Sequence, residues 1–294
     1  MMRSLIGGAL VAGAAVLAGC AATPTEEIAG RMVEQGCSRG ELQNAADSYV
    51  AAQRAGNRAL LFAGAPLTYR EQFERADIRT GIINTPLDID FHHSILDTQQ
   101  CQTITEIVIA DPAHPYVLGV HLTVDHEDGA ISEIDTIVTD DDDWLFSAER
   151  FLNGIRDEDW SVVPPSQRTS RADMIAGANA YFDMFTDETA EPPFHDPCYR
   201  QEGGMRTNGS CHSAPLGVDF SNRFFVVDTT LGVVDGWVLF SDRLPDSHMF
   251  RFVDGEIRYI HTITACDTFN CGFDLSEDLA EERRARGGDL GPDS

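Results

Sequence analysis

Two histidines, His248 and His261, stand on either side of an Asp254-Gly255 pair. Asp-Gly between two β-rich runs is a hairpin signal, because a type I′ turn needs φ > 0 at both central residues. With Asp254-Gly255 as the two-residue turn, Val253 faces Glu256, Phe252 faces Ile257, Arg251 faces Arg258, Phe250 faces Tyr259 and His248 faces His261. Strand side chains alternate between faces, so His248, Phe250, Phe252, Ile257, Tyr259 and His261 share one face. The histidine pair falls on a non-hydrogen-bonded position, where Cα atoms approach to about 4.5 Å. Two imidazoles in contact resist double protonation, so at least one stays neutral near pH 7. Such a pair is a candidate base and acid at the mouth of an aromatic pocket. Tyr259, on the same face, is a candidate donor to a developing oxyanion. Arg200 and Glu202 lie between Cys198 and Gly203-Gly204, on a loop held by a disulfide and a tight turn. Arg200 suits bidentate binding of a carboxylate. With Asp246 these two form a candidate substrate-binding set.

Blander readings stand beside these. The histidines are then bonded to backbone, Tyr259 is core, and Arg200 pairs with Glu202 or Asp246 only to fix the loop. A metal at the histidine pair needs a third ligand, from Asp246 or Glu202. No dense ligand motif is present, and neither a metal nor a cofactor is expected. Arg251 and Arg258 face each other on the opposite surface of the hairpin. Like charges paired across strands are unfavourable, so that surface reads as an interface with acidic groups between them.

The elements that position these residues repeat. Ser38-Arg39-Gly40-Glu41 is a capping-box start, and Leu42, Ala45, Ala46, Tyr49 and Val50 recur at helical spacing. A second helix is expected within Tyr69–Ala76. Strands follow at Ile89–Ile95, Thr103–Ile109, Tyr116–Val124 and Ile131–Val138, and Trp144–Leu152 completes a first half. The pattern restarts at Ser170-Arg171-Ala172-Asp173, with a helical stripe of Met174, Ile175, Ala178, Tyr181, Phe182 and Phe185. Strands are expected at Arg223–Val227, Gly232–Phe240, His248–Val253 and Ile257–Thr264. Ala45–Tyr49 corresponds to Gly177–Tyr181 at an offset of 132, and Asp128–Ile137 to Asp254–Ile263 at an offset of 126. This is the mark of an internal duplication. In the first half Glu133 and Asp135 take the places of Tyr259 and His261. Leu122 replaces His248 without a gap; a one-residue indel instead aligns His121-Leu122 with His248-Met249. Either way the histidine pair is absent there. His92 and His93 fall on opposite faces of an earlier strand. The first half is either a structural partner, the favoured reading, or holds a mixed His/carboxylate site.

Composition bounds the function. The chain has 294 residues and a net charge of −27; its 21 basic residues are all Arg. Lysine Schiff bases, lysine general bases and P-loop lysines are excluded. No basic stripe exists to neutralise phosphates, so nucleic acid is not an expected partner. Acidity spread over the whole chain reads as solubility or a saline habitat. There is no Gly-x-Ser-x-Gly, His-Glu-x-x-His or Gly-x-Gly-x-x-Gly. Residues 1–19 read as a signal peptide, and Leu17-Ala18-Gly19-Cys20 as a lipobox with Cys20 the lipidation site. The expected location is the bacterial cell envelope, lipid-anchored, at the outer membrane. Six cysteines then remain, an even number in an exported chain. Neighbour pairing gives Cys37–Cys101, Cys198–Cys211 and Cys266–Cys271. The expected organisation is a tether over 20–36, a first half over 37–160, a second over 161–273 and a disordered acidic tail over 274–294.

Helical lead-ins followed by meandering antiparallel strands make each half α+β. The order resembles the cone-shaped fold of nuclear transport factor two and SnoaL-like polyketide cyclases, in which a curved sheet wraps a helix around a pocket. A closer resemblance rests on Pro197-Cys198, Asn222–Asp228, His248–Arg251, Ile257–Thr262 and Cys266, with Tyr69-Arg70-Glu71 and Ile131–Asp135 in the first half. This series is similar to a family of secreted fungal and bacterial proteins catalogued only as a domain of unknown function. The resemblance implies no activity.

The expectation is an exported lipoprotein of two tandem cone-like halves. Its second half binds a small organic molecule and performs cofactor-free acid/base chemistry of an isomerase, lyase or hydratase type. His248 and His261 move protons, while Tyr259 and Arg200 orient substrate. The alternatives are a non-catalytic ligand-binding lipoprotein and an envelope interaction module.

Overall fold

The structure, a computed structural model, describes residues 36–213, 217–266, 268 and 271–272. The expected signal peptide, Cys20, nearly all of the tether and the acidic tail lie outside the described residues. Among the described residues no helix is long and apolar enough to cross a membrane.

Helix α1 (Arg39–Ala55) begins at the expected capping box. The Ser38 side chain accepts from the Glu41 N–H, the Glu41 carboxylate accepts from the Ser38 N–H, and Gly56 ends the helix in the left-handed conformation. Leu42, Ala45, Ala46 and Tyr49 form its buried face. Strands β1 (Ala63–Glu71), β2 (Glu74–Arg75), β3 (Phe91–Asp97), β4 (Gln102–Ile109), β5 (Tyr116–Val124) and β6 (Ile131–Thr139) follow. The helix expected within Tyr69–Ala76 is instead the end of β1 and the whole of β2. Short α2 (Ala148–Ile155) leads out of the half. Helix α3 (Arg171–Asp183), capped by Ser170, opens the second half. Strands β7 (Phe194–Glu202), β8 (Met205–Arg206), β9 (Phe220–Asp228), β10 (Val233–Phe240), β11 (Leu244–Val253) and β12 (Glu256–Thr264) complete it.

The two halves repeat one topology. The sheet orders are β2-β1-β6-β5-β4-β3 and β8-β7-β12-β11-β10-β9. In each sheet one parallel pair, β1–β6 or β7–β12, sits among antiparallel neighbours. These are two mixed six-stranded sheets with few helices. Three cores follow. One lies between α1 and the first sheet, and a second between α3 and the second sheet. The third lies between the sheets, with Ile95, Ile104, Val117 and Ile137 meeting Val226, Trp237, Met249 and Ile263, and Phe151 of α2 among them. Each sheet thus has a helix-facing side and an inter-sheet side. All three expected disulfides, Cys37–Cys101, Cys198–Cys211 and Cys266–Cys271, are present.

A reciprocal clasp joins the halves where edge strands β3 and β9 meet. Asp97, at the end of β3, accepts from the Val227 N–H at 2.9 Å and from Arg171 of α3 at 2.9 Å. Asp228, at the end of β9, accepts from the Leu96 N–H at 3.0 Å and from Arg39 of α1 at 2.7 Å. Each half contributes the same two groups at the same places, and both carboxylates are buried. They also satisfy edge N–H groups that would otherwise invite another strand. Asp97→Asn and Asp228→Asn are each expected to lose about 1–2 kcal/mol in urea unfolding, because the buried carboxylate that holds an edge N–H and a part-exposed guanidinium becomes neutral. The two losses should match, since the sites are equivalent; a loss below about 0.5 kcal/mol in either would mean the clasp is only a surface contact.

Candidate functional site

The hairpin turn is as expected, with Asp254 and Gly255 at φ 52° and 88°. The register beyond it is not. Val253 pairs with Glu256 and Phe252 with Ile257, but Arg251 then pairs with Tyr259, Phe250 with Ile260, Met249 with His261 and His248 with Thr262. Arg258 is the extra residue of a β-bulge. A one-residue slip moves every later side chain to the other face. His248 and His261 therefore lie on opposite faces of the sheet, and the expected pair does not form. The metal reading built on that pair falls with it. Among the described residues no group of three or more His, Cys, Asp and Glu side chains is placed to hold a metal. Nor do Arg251 and Arg258 face each other. Arg251 donates to the Asp159 and Ser161 carbonyls at 3.2 and 2.9 Å. Arg258 donates to the Pro197 carbonyl and lies against the Tyr199 and Tyr259 rings.

His261 and Tyr259 point to the inter-sheet side. His261 is clamped between two carboxylates: Nδ1 lies 3.0 Å from Glu106 of the first half, and Nε2 2.7 Å from Glu158 of the connection. Arg206 supports Glu158 at 2.6 Å. Burial alone would depress the imidazole, but the Glu106 and Glu158 charges outweigh it and push it up to about 10. With both ring nitrogens engaged and the ring cationic, His261 is a fixed ion and not a proton-transfer group. Trp160 packs on its ring at 4.9 Å and on Tyr259 at 6.1 Å. His93 reaches the same region, 4.6 Å from the Trp160 ring; burial holds it near 4, hence neutral. Asp235 is also here, bonded to Ser247 at 2.8 Å and pushed by burial to about 7.

His248 faces α3. Asp246 lies against it, and Arg200 and Glu202, two strands away on β7, point to the same side of the sheet. The His248 Nδ1 lies 3.2 Å from Asp246 Oδ2. This is an ion-pair contact whose angles fall short of a hydrogen bond, so both atoms lack full partners. The other oxygen, Asp246 Oδ1, accepts from Thr264 at 3.1 Å. Burial raises the Asp246 carboxyl, and His248 beside it opposes the rise. Rings of Tyr181, Phe182, Phe220 and Phe250 stand 5.4, 5.2, 5.3 and 6.0 Å from the imidazole. His248 is thus enclosed by aromatic rings and only 4 % exposed, not at an open mouth. On β7 Arg200 donates to the Tyr181 hydroxyl at 3.2 Å and pairs with Glu202 at 3.2 Å. Glu202 also accepts from the Trp144 indole at 2.9 Å. The Arg200 side chain is 12 % exposed, and its Nε has no partner. Burial pulls the guanidinium down, yet its contacts with Tyr181 and Glu202 leave it raised. Burial lifts the Tyr181 hydroxyl to about 12, with Arg200 opposing. A cavity of about 10 Å³ lined by Val117, Thr139, Trp144, Phe146, Phe151 and Thr262 among others lies nearby, and none of His248, Asp246, Arg200, Glu202 and Tyr181 lines it. It has room for one water at most.

The first half shows what the fold itself requires. The same bulge recurs there at Ser132, with Thr123 opposite Glu133 and Val124 opposite Ile131. Counting back from the bulge, His121 pairs with Asp135 where Met249 pairs with His261. The correct equivalents of His248 and Asp246 are therefore Val120 and Leu118, neither of the two expected alignments. Both are fully buried in the α1 core. By the parallel pairing to β6 and β12, Tyr69 stands where Arg200 stands, and Glu71 where Glu202 stands. Sequence reasoning did not single out Tyr181, Trp144, Glu106 or Glu158. Tyr181 was visible only as part of a helical stripe.

Residues 167–264 match the model of a family described as a domain of unknown function (DUF8021). The match spans about a third of the chain, from just before α3 to the end of β12, and contains Arg200, Glu202, Asp246 and His248. The first-half motifs Tyr69-Arg70-Glu71 and Ile131–Asp135 lie outside it. No curated protein matches the chain.

Proposed function

We propose that the second half is a small-molecule site in which His248, backed by Asp246, moves a proton, and Arg200 with Tyr181 orients the bound molecule. One observation carries this reading. At the positions of His248 and Asp246 the first half packs Val120 and Leu118 in the same fold. The architecture therefore does not need a buried imidazole–carboxylate pair. Two well-packed apolar residues are the more stable solution in most cores, and a local departure from good packing marks a functional place. Asp246 Oδ2 lies 3.2 Å from Nδ1, outside hydrogen-bond geometry; a small turn of either side chain would close that bond, fix the tautomer and leave Nε2 as the ring nitrogen for proton transfer. Tyr181, raised and buried, remains a neutral hydrogen-bond donor. The reaction is cofactor-free proton transfer of the isomerase, lyase or hydratase kind. Both halves are cone-like in this reading. A helix on one side of a mixed sheet and the repeated strand order support it.

The chain is an exported lipoprotein in the same proposal, supported by the lipobox Leu17-Ala18-Gly19-Cys20 and by three disulfides. The test incubates the mature chain, with Cys20 replaced, with an extract of growth medium, and follows small molecules by mass spectrometry. A compound consumed by wild type and spared by the Asp246→Leu/His248→Val variant is the expected result. A compound that co-purifies with wild type unchanged, and not with the variant, would replace catalysis by binding. Identical spectra would remove both.

A further inference from the structure

The inter-sheet side of the first half holds a second set of polar groups, independent of the chamber around His248. His121 and Asp135 are directly paired on β5 and β6 and point the same way. Cross-strand neighbours have Cβ atoms about 5 Å apart. Both residues are 7 % exposed, and His121 Nε2 and Asp135 Oδ1 have no hydrogen-bond partner. Three aromatic rings enclose them. Phe224 and Trp237 stand 5.4 and 6.0 Å from the imidazole, and Phe73 stands 5.5 Å from Trp237. The Trp237 N–H is directed at Asp135 and lowers its pKa, but does not reach hydrogen-bond geometry. Arg70 is the neighbour of Asp135 on β1, yet its guanidinium is ion-paired to Glu133. Arg70 and Glu133 are about one-third exposed and link the set to solvent.

The equivalent place in the second half shows how this interface satisfies its charges. There the central residue is the cation His261, with carboxylates on both ring nitrogens and the Trp160 ring beside it. In the first half the sign is reversed. The central residue is the carboxylate of Asp135, the aromatic wall is present, and the cation beside it, Arg70, is ion-paired to Glu133 instead. Burial leaves that carboxyl raised to about 6 and His121 lowered to about 4. Two acceptors, one anionic and one neutral, then stand side by side next to the Phe224 and Trp237 rings. A primary ammonium suits both, since it has three donors and one charge. The chain contains no lysine, so the ammonium must come from outside.

We propose that His121, Asp135 and Trp237 form a binding site for a small primary alkylammonium at the junction of the two halves. The probe is ethylammonium, added to the full mature chain, with the indole N–H signal of Trp237 followed by NMR. A saturable shift in the millimolar range is expected, with none from ethanol, the neutral analogue of the same size. Asp135→Asn should weaken binding by about tenfold or more, and His121→Gln, which keeps an acceptor, by only a few-fold. If Asp135→Asn does not fold, the ethanol comparison and His121→Gln still decide. An equal response to ethanol, or no saturable shift in wild type, would overturn the proposal. So would a crystal structure grown with ethylammonium in which a water alone bridges His121 and Asp135.

Discussion

Replacing His261 with leucine should cost about 3–5 kcal/mol of stability, the largest loss expected of any single change here. The leucine fills a similar space, so little of that loss is packing. It arises because Glu106 and Glu158 remain buried with their shared cation gone, while Arg206 reaches only Glu158. Urea unfolding at pH 7 measures it, and a loss under about 1 kcal/mol would mean that water reaches both carboxylates. The pH dependence carries the same signature. The imidazole is raised from its ordinary 6.5 to about 10 in the fold, so its contribution is complete below pH 6.5 and is lost as the pH climbs through 10. Asp135, Asp143 and Asp235 act in the same direction at lower pH. Burial raises them to about 6, 7 and 7 from 3.8. A raised carboxyl favours the fold when protonated, so this stability is present near pH 4 and lost as the pH passes 7. His93 and His121, held near 4 by burial, act the other way below pH 6.5, where they gain charge in the unfolded chain first. Stability should therefore fall from about pH 6.5 to pH 10. His261→Leu should flatten the upper part of that fall, and Asp235→Asn the lower part. A stability maximum near pH 8 would contradict these assignments.

The second large effect is expected from half of the chamber pair. His248→Val alone should lose about 3 kcal/mol, because Asp246 is left buried with only Thr264 as a partner. Introducing Asp246→Leu as well removes the stranded carboxylate and restores the apolar pairing of the first half. The double variant should then recover the loss, a strongly non-additive pair of the kind that double-mutant cycles detect between contacting residues. Additive losses would mean that His248 and Asp246 act separately, the one through packing and the other through Thr264. Thermal or urea unfolding of the two single variants and the double variant decides between these outcomes.

Much of the architecture is legible before the structure is seen, because its signals are local. The capping box at Ser38, the Asp-Gly turns and the apolar runs of β3 to β6 each declare themselves within a few residues. The duplication is visible because the chain repeats those local signals. Strands β1 and β7 were hidden for a physical reason. They contain Pro66 and Pro197 and carry few apolar residues, so nothing in the window around Tyr69 distinguishes strand from helix. The β-bulge was not legible. Ile257 and Ile260 of β12 share the helix-side core, as Ile131 and Ile134 of β6 do, across the bulge, but Ile263 and Ile137 lie in the inter-sheet core with no bulge between. Both sides of each sheet are buried, so a spacing of three in the sequence fits a bulge and a plain change of face equally. The bulge, rather than the turn, decides that His248 and His261 point apart. The partners of His261 were not legible at all. Glu106 and Glu158 are 155 and 103 residues away in the chain, and only the packing of one sheet on the other brings them together. Arg200 and Glu202 lie on the hidden strand β7, and only its parallel pairing to β12 puts them on the same side of the sheet as Asp246 and His248.

The central claim is that the buried His248–Asp246 pair serves chemistry and not the fold. Equilibrium urea unfolding of the Asp246→Leu/His248→Val variant against wild type, at pH 7, tests it most directly. The first half, with Leu118 and Val120 at these positions, predicts a variant as stable as wild type or more stable by about 1–4 kcal/mol. A double variant that loses more than about 2 kcal/mol would show that the second half needs the pair to hold itself together, and the case for a proton-moving site would be gone.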